Sequence, residues 1–140
     1  MPTFELIGDL AKKEFIFDLS LSRVLMNDTK DFPWIFLVPR EPNIQQINQL
    51  SRVKQHVLVD EITLASGIME NIFPCDRINV AAIGNITPQL HIHIICRNKS
   101  DPYWSDVCWN KELELMPQVE MEKQKNKIRV QFEQVFGDVK

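Results

Sequence analysis

Three cysteines, Cys75, Cys96 and Cys108, are too few and too irregularly spaced for a disulfide framework or a Cys-x-x-Cys metal or redox site. Reduced, buried thiols are the expectation. Glycine is equally scarce, with four residues in 140. Gly84 stands alone between Ile83 and Asn85, which fits a tight turn and not a Gly-rich phosphate loop. No hydrophobic run approaches the roughly 20 residues of a membrane-spanning helix. The run Trp34-Ile35-Phe36-Leu37-Val38 is among the longest. Basic stretches are missing too: 16 Lys and Arg face 19 Asp and Glu, for a net charge of -3. Electrostatic binding to a nucleic-acid backbone is therefore disfavoured. Glu5, Asp9 and Glu14 interrupt any basic-then-apolar secretory pattern, so a cytoplasmic protein with no membrane partner is expected. Neither repeats nor low-complexity segments occur.

What is present suits one compact domain with a helical extension. Phe4, Leu6, Ile7, Leu10 and Ala11 predict a short amphipathic helix over 4–13. An extended segment from Phe15 continues into a strand at 22–27, and Asp28–Asp31 form a polar turn. The unbroken apolar run ending at Pro39 predicts a strand over 34–39 covered on both faces. The chain is expected to turn helical over 44–50. Ser51 then N-caps the longest helix, 51–73, whose stripe Leu58, Ile62, Ala65, Met69 and Ile72 faces a sheet. Strands follow over 77–83 and 89–96. Apolar Ile128, Phe132, Val135 and Phe136 predict a helix in 111–136, packed on the same domain or on a partner. Connections mostly too short for parallel crossovers make an antiparallel α+β fold the economical solution.

The chemistry concentrates in Pro88-Gln89-Leu90-His91-Ile92-His93-Ile94-Ile95-Cys96-Arg97. Strand alternation puts Gln89, His91 and His93 on one face and Leu90, Ile92 and Ile94 on the core face. Successive side chains on one face stand about 7 Å apart. Polar groups on a central strand cost stability unless satisfied or used. A metal site would need further ligands, but Arg97 and Lys99 follow and the remaining histidine, His56, lies on the long helix. No metal and no cofactor are expected. Imidazole as a nucleophile is the stronger candidate, one nitrogen held by an acceptor and the other facing substrate. An aminoacyl or a phosphoryl centre could be attacked in this way.

The run resembles the histidine triad (HIT) motif His-φ-His-φ-His-φ-φ, φ being apolar, with Gln89 in the first position, His91 and His93 in the second and third, and Ile94-Ile95 trailing. Leu25-Met26-Asn27 and Ile35–Arg40 resemble the family's nucleoside-binding strand pair, and Arg77–Asn85 the strand and turn leading into the triad. Together they cover about residues 3–110 and look like a bacterial branch of the family carrying Gln at the first position. The tail, 111–140, carries no usable likeness and is read as a separate extension. The resemblance implies a HIT-like antiparallel sheet of about five strands, with the long helix on it and a helical tail. It implies a nucleotide phosphate hydrolase or nucleotidyl transferase acting at an α-phosphate through a nucleotidyl-histidine. His91 would attack, His93 would contact phosphate oxygen or the leaving group, and Gln89 would be a neutral support. Asn27, Asn79 and Asn85 would bind ribose and phosphate of a purine nucleotide or nucleoside-phosphate conjugate. A homodimer is also implied.

Gln89 departs from the family pattern because an amide cannot change charge. Two other readings therefore stand beside the enzyme: a purine-nucleotide-binding module with weak or no catalysis, and a scaffold that docks a partner through the tail helix.

Overall fold

The computed structural model describes residues 3–136. Five antiparallel strands form one sheet: β1 (Glu14–Asp18), β2 (Ser22–Met26), β3 (Trp34–Pro39), β4 (Arg77–Ala81) and β5 (Ile92–Arg97), in the order β1-β2-β3-β5-β4. Helix α1 (Arg52–Ile72) and helix α2 (Gln118–Phe136) complete the α+β fold.

All six residues of β3 are buried because the sheet is covered on both faces. Ile35 and Leu37 join Ile92, Ile94, Leu58, Ala65 and Met69 in the core beneath the helices. Trp34, Phe36 and Val38 point the other way, joining Leu25, Ile95, Leu10 and Cys108. Among the described residues, neither α1 nor α2 contributes to this second layer. The N-terminal segment and the chain after β5 cover it, and together they frame the candidate site.

Helix α1 starts as its sequence predicts, with the Ser51 hydroxyl accepting from the Lys54 amide at 3.3 Å. Its stripe includes one residue that periodicity misses. Glu61, buried, accepts from the Leu21 amide at 2.9 Å, the Ser22 amide at 3.0 Å and the Ser20 hydroxyl at 3.2 Å. This carboxylate satisfies the turn between β1 and β2, which explains how the extended segment breaks into two paired strands without a turn glycine.

Helix α2 begins only at Gln118, because residues before it pair elsewhere. Thr29 and Leu115 form a β-bridge, and the Met116 amide donates to the Asp28 carbonyl at 2.7 Å. Ile128 and Phe132 are fully buried, and Phe17 packs on Phe132 and Phe136 with ring centres 6.0 and 6.1 Å away. Ile128, Phe132 and Phe136 of α2 thus pack on its own domain, whereas Val135, expected in the same stripe, is 48% exposed.

Three other expectations need adjusting. The helix expected over 4–13 is a 3-10 turn, Gly8–Lys12, preceded by extended chain. The one expected over 44–50 is a 3-10 turn at Ile47–Gln49. β5 starts at Ile92 and not at Gln89, since the amides of Gln89 and Leu90 bond to the Thr87 and Ile44 carbonyls instead of a strand partner.

Candidate active site

Strand alternation through β5 works as the sequence requires. Leu90, Ile92 and Ile94 enter the core beneath the helices, while His91 and His93 lie on the opposite face with ring centres 4.8 Å apart. Phe36 of the neighbouring β3 lies edge-on to both rings, at 6.1 Å from His91 and 5.1 Å from His93.

Hydrogen bonds set the tautomer of each imidazole, through one nitrogen of His91 and both of His93. Nδ1 of His91 lies 2.7 Å from the Gln89 carbonyl. A carbonyl only accepts, so Nδ1 carries the proton and Nε2 keeps a free lone pair. In His93 the order is reversed. The Trp34 indole Nε1–H donates to Nδ1 at 3.2 Å, leaving the proton on Nε2, which lies 3.4 Å from the Ile83 carbonyl. Trp109 closes the cage around His93, 5.1 Å away and nearly perpendicular.

Burial, reinforced by neighbouring His91 and only partly offset by the Ile83 carbonyl, lowers the His93 pKa from 6.5 to about 4. The unfolded chain therefore takes up this proton first. His93 favours the fold above pH 6.5, and that contribution is lost as the pH falls towards about 4. Urea unfolding should show native protein losing up to about 3 kcal/mol through this group between pH 7 and pH 4. A His93→Asn variant should lack that increment. An unchanged pH dependence in the variant would refute the assignment.

Two cavities meet at His91. One, of about 470 Å³, is lined by His91, His93, Asn27, Asn85, Trp34, Phe36 and Trp109, with Asp9, Leu10 and Lys13 on its N-terminal wall. The other, of about 510 Å³, is lined by His91 and Asn85 together with Gln45, Gln46 and Asn48. Gly84 permits the close approach at their junction. A Cβ there would sit 3.1 Å from the Thr87 carbonyl oxygen and 3.6 Å from the His91 ring.

Of the residues expected from sequence, the structure brings His91, His93, Asn27 and Asn85 to one cavity. Asn27 also accepts from the Asp28 amide through its side-chain oxygen at 3.0 Å. Asn79 lies elsewhere, its side-chain oxygen accepting from Arg97 at 3.3 Å, and it lines neither cavity. Gln89 is held away from both, by the backbone of Glu5 and Ile7. Sequence reasoning missed Trp34, whose indole N–H is invisible in a run that reads as plain core, and Lys13, which was assigned to a helix. Among the described residues, no group of three or more His, Cys, Asp or Glu is placed to hold a metal ion. No helix among them is long and apolar enough to cross a membrane.

A family profile, HIT domain, matches residues 10–100. The chain is similar to a histidine triad protein from Bradyrhizobium japonicum, at 35% identity over 93% of this chain and 98% of that one, with a TM-score of 0.89. It is similar to one from Marinobacter aquaeolei at 33% identity, 95% and 98% coverage and a TM-score of 0.90. At 20% identity, the diadenosine triphosphate hydrolase of Plasmodium falciparum shares the fold, with a TM-score of 0.66 over 89% of this chain and 80% of that one. Among curated proteins, none matches the chain.

Proposed function

The chain belongs to the histidine triad (HIT) family, and on that premise we propose that it cleaves nucleoside-phosphate conjugates or dinucleoside polyphosphates at the α-phosphate through a nucleotidyl-histidine on His91. The family includes nucleotide hydrolases and transferases, and the Plasmodium falciparum neighbour is a diadenosine triphosphate hydrolase. One observation carries the reading: the 2.7 Å contact from His91 Nδ1 to the Gln89 carbonyl, which leaves Nε2 with its lone pair on a residue that lines both cavities.

In this mechanism Nε2 of His91 attacks the α-phosphorus. A P–N bond forms, and the bond from phosphorus to the leaving group breaks with its electron pair going to the leaving atom. The ring gains positive charge, and the Nδ1–H···O=C bond to Gln89 stabilises it. His93, neutral with its proton on Nε2, is a weak acid. It suits a hydrogen bond to a phosphate oxygen better than full protonation of the leaving group. Water then attacks the phosphorus, the P–N bond breaks with its electron pair returning to His91 Nε2, the water sheds a proton to solvent and the nucleotide is released. Asn27 and Asn85 supply polar contacts for ribose and phosphate beside the aromatic wall, which suits a purine.

The first-position Gln89 favours a second reading, a purine-nucleotide-binding module without turnover, because its amide cannot move a proton. Incubating the purified protein with a panel of adenylylated compounds and following AMP by chromatography separates the two. Release of AMP is expected. Binding of AMP with no release from any compound would leave the module. Absence of both would refute the nucleotide site.

We also propose a homodimer through the free edge at β4, where Val80 is 47% exposed. Light scattering at micromolar concentration should give twice the chain mass, and a monomer would overturn the assignment.

A further inference from the structure

Gln89 occupies the position where the family motif has its first histidine, yet its side chain does not face the reacting groups. It is 9% exposed, and both polar atoms are engaged by the N-terminal segment. Oε1 accepts from the Ile7 amide at 3.1 Å, and Nε2 donates to the Glu5 carbonyl at 2.8 Å. A primary amide presents donor and acceptor side by side, as a strand edge does, so it can pair with an N–H and a C=O two residues apart. The two nitrogens of an imidazole diverge and cannot reproduce that pair.

Beyond this clasp the chain turns sharply. Gly8 has φ +54°, and a Cβ there would lie 3.3 Å from both Cγ2 and Oγ1 of Thr87. The 3-10 turn that follows buries Leu10 and brings Asp9 and Lys13 to the wall of the histidine cavity. Apart from the two histidines, Lys13 is the one basic side chain lining that cavity among the described residues, and it is steadied by Asp28 at 3.5 Å. We propose that the Gln89 side chain is the clasp of an N-terminal strap, residues 5–13, and is a positioning residue that governs substrate binding through the placement of Lys13 and Asp9. The bond-breaking step uses a different part of the same residue, its backbone carbonyl on His91, which a side-chain substitution leaves in place. The inference rests on reading the His91–His93 cavity as the nucleotide site.

The test uses the full chain, the 4-nitrophenyl ester of AMP as substrate, AMP as binding ligand and amide exchange at Ile7 as a readout free of catalysis. Gln89→Ala should raise KM and the AMP Kd about tenfold, the scale of one or two lost hydrogen bonds, with kcat within about threefold of native. The Ile7 amide should lose its protection. Gln89→Glu keeps the acceptor for Ile7 but loses the donor to Glu5, and should fall between the two. Gly8→Ala breaks the strap without touching Gln89, so it should reproduce the rise in KM even if Gln89→Ala fails to fold. A fall in kcat of about a hundredfold with KM unchanged would overturn the proposal by placing the side chain in the chemistry. Retained protection at Ile7 in Gln89→Ala would overturn it as well. If native protein neither cleaves the ester nor binds AMP, the nucleotide reading fails, and Ile7 protection still decides the clasp.

Discussion

His91→Ala should lower turnover of an adenylylated substrate by about 10⁴-fold or more while changing AMP affinity only severalfold. The size follows from what is removed. As the proposed nucleophile, His91 splits one displacement into two easier ones, and the neighbouring imidazole cannot replace it, because His93 presents a proton on Nε2 and an already occupied Nδ1. A 10⁴-fold loss corresponds to about 5.4 kcal/mol of transition-state stabilisation. Binding should survive because the groups proposed to hold the nucleotide, Asn27, Asn85 and the aromatic wall, are left intact. His93→Ala should be damaging but less so, since one hydrogen-bond donor to a transition-state oxygen contributes about 10²–10³-fold. Rapid quench and mass spectrometry of native protein should catch a nucleotide bonded to the peptide containing His91. Wild-type turnover by His91→Ala would refute the mechanism.

The parts of this molecule that were legible in its sequence are those fixed by local period. Unbroken burial of β3 followed from Trp34–Val38 lacking alternation, and α1 from a stripe of apolar steps behind Ser51. The facing of His91 and His93 away from the core followed from period two alone. What stayed hidden depends on partners remote in sequence. Ser20 and Leu21 carry no turn signal because Glu61, forty residues on, supplies the acceptors. The apolar pattern of 4–13 suggested a helix, but Gln89, more than eighty residues away, holds its first half extended. Asn79 was expected beside ribose and phosphate from its place in the strand and turn leading into the triad, and Arg97 takes its side-chain oxygen instead. The tautomers of both histidines were equally illegible, since one depends on a backbone carbonyl and the other on an indole from β3.

Removing either member of the Arg97–Asp101 pair should destabilise the protein by about 3–5 kcal/mol, a large part of the roughly 5–15 kcal/mol that holds a domain of this size together. The two side chains are 2% and 6% exposed, and they pair through Nε–Oδ2 at 2.7 Å and Nη2–Oδ1 at 3.1 Å. Arg97 also lies over the Phe32 ring at 4.7 Å. Burial works against the Asp101 charge, but the Arg97 guanidinium and the amides of Asn98 and Tyr103 outweigh it and hold the carboxyl below its usual range. Taking away one partner strands the other as an uncompensated buried charge, whereas taking away both does not. Arg97→Met and Asp101→Leu should therefore each be severe, and the double variant should lose clearly less than their sum. The damage should reach the site as well, because Asp101 anchors the start of the chain segment that carries Trp109 over His93. Urea unfolding of the two single variants and the double variant gives the coupling directly. Additive losses, or single losses below about 1 kcal/mol, would show that the pair behaves as an ordinary surface salt bridge.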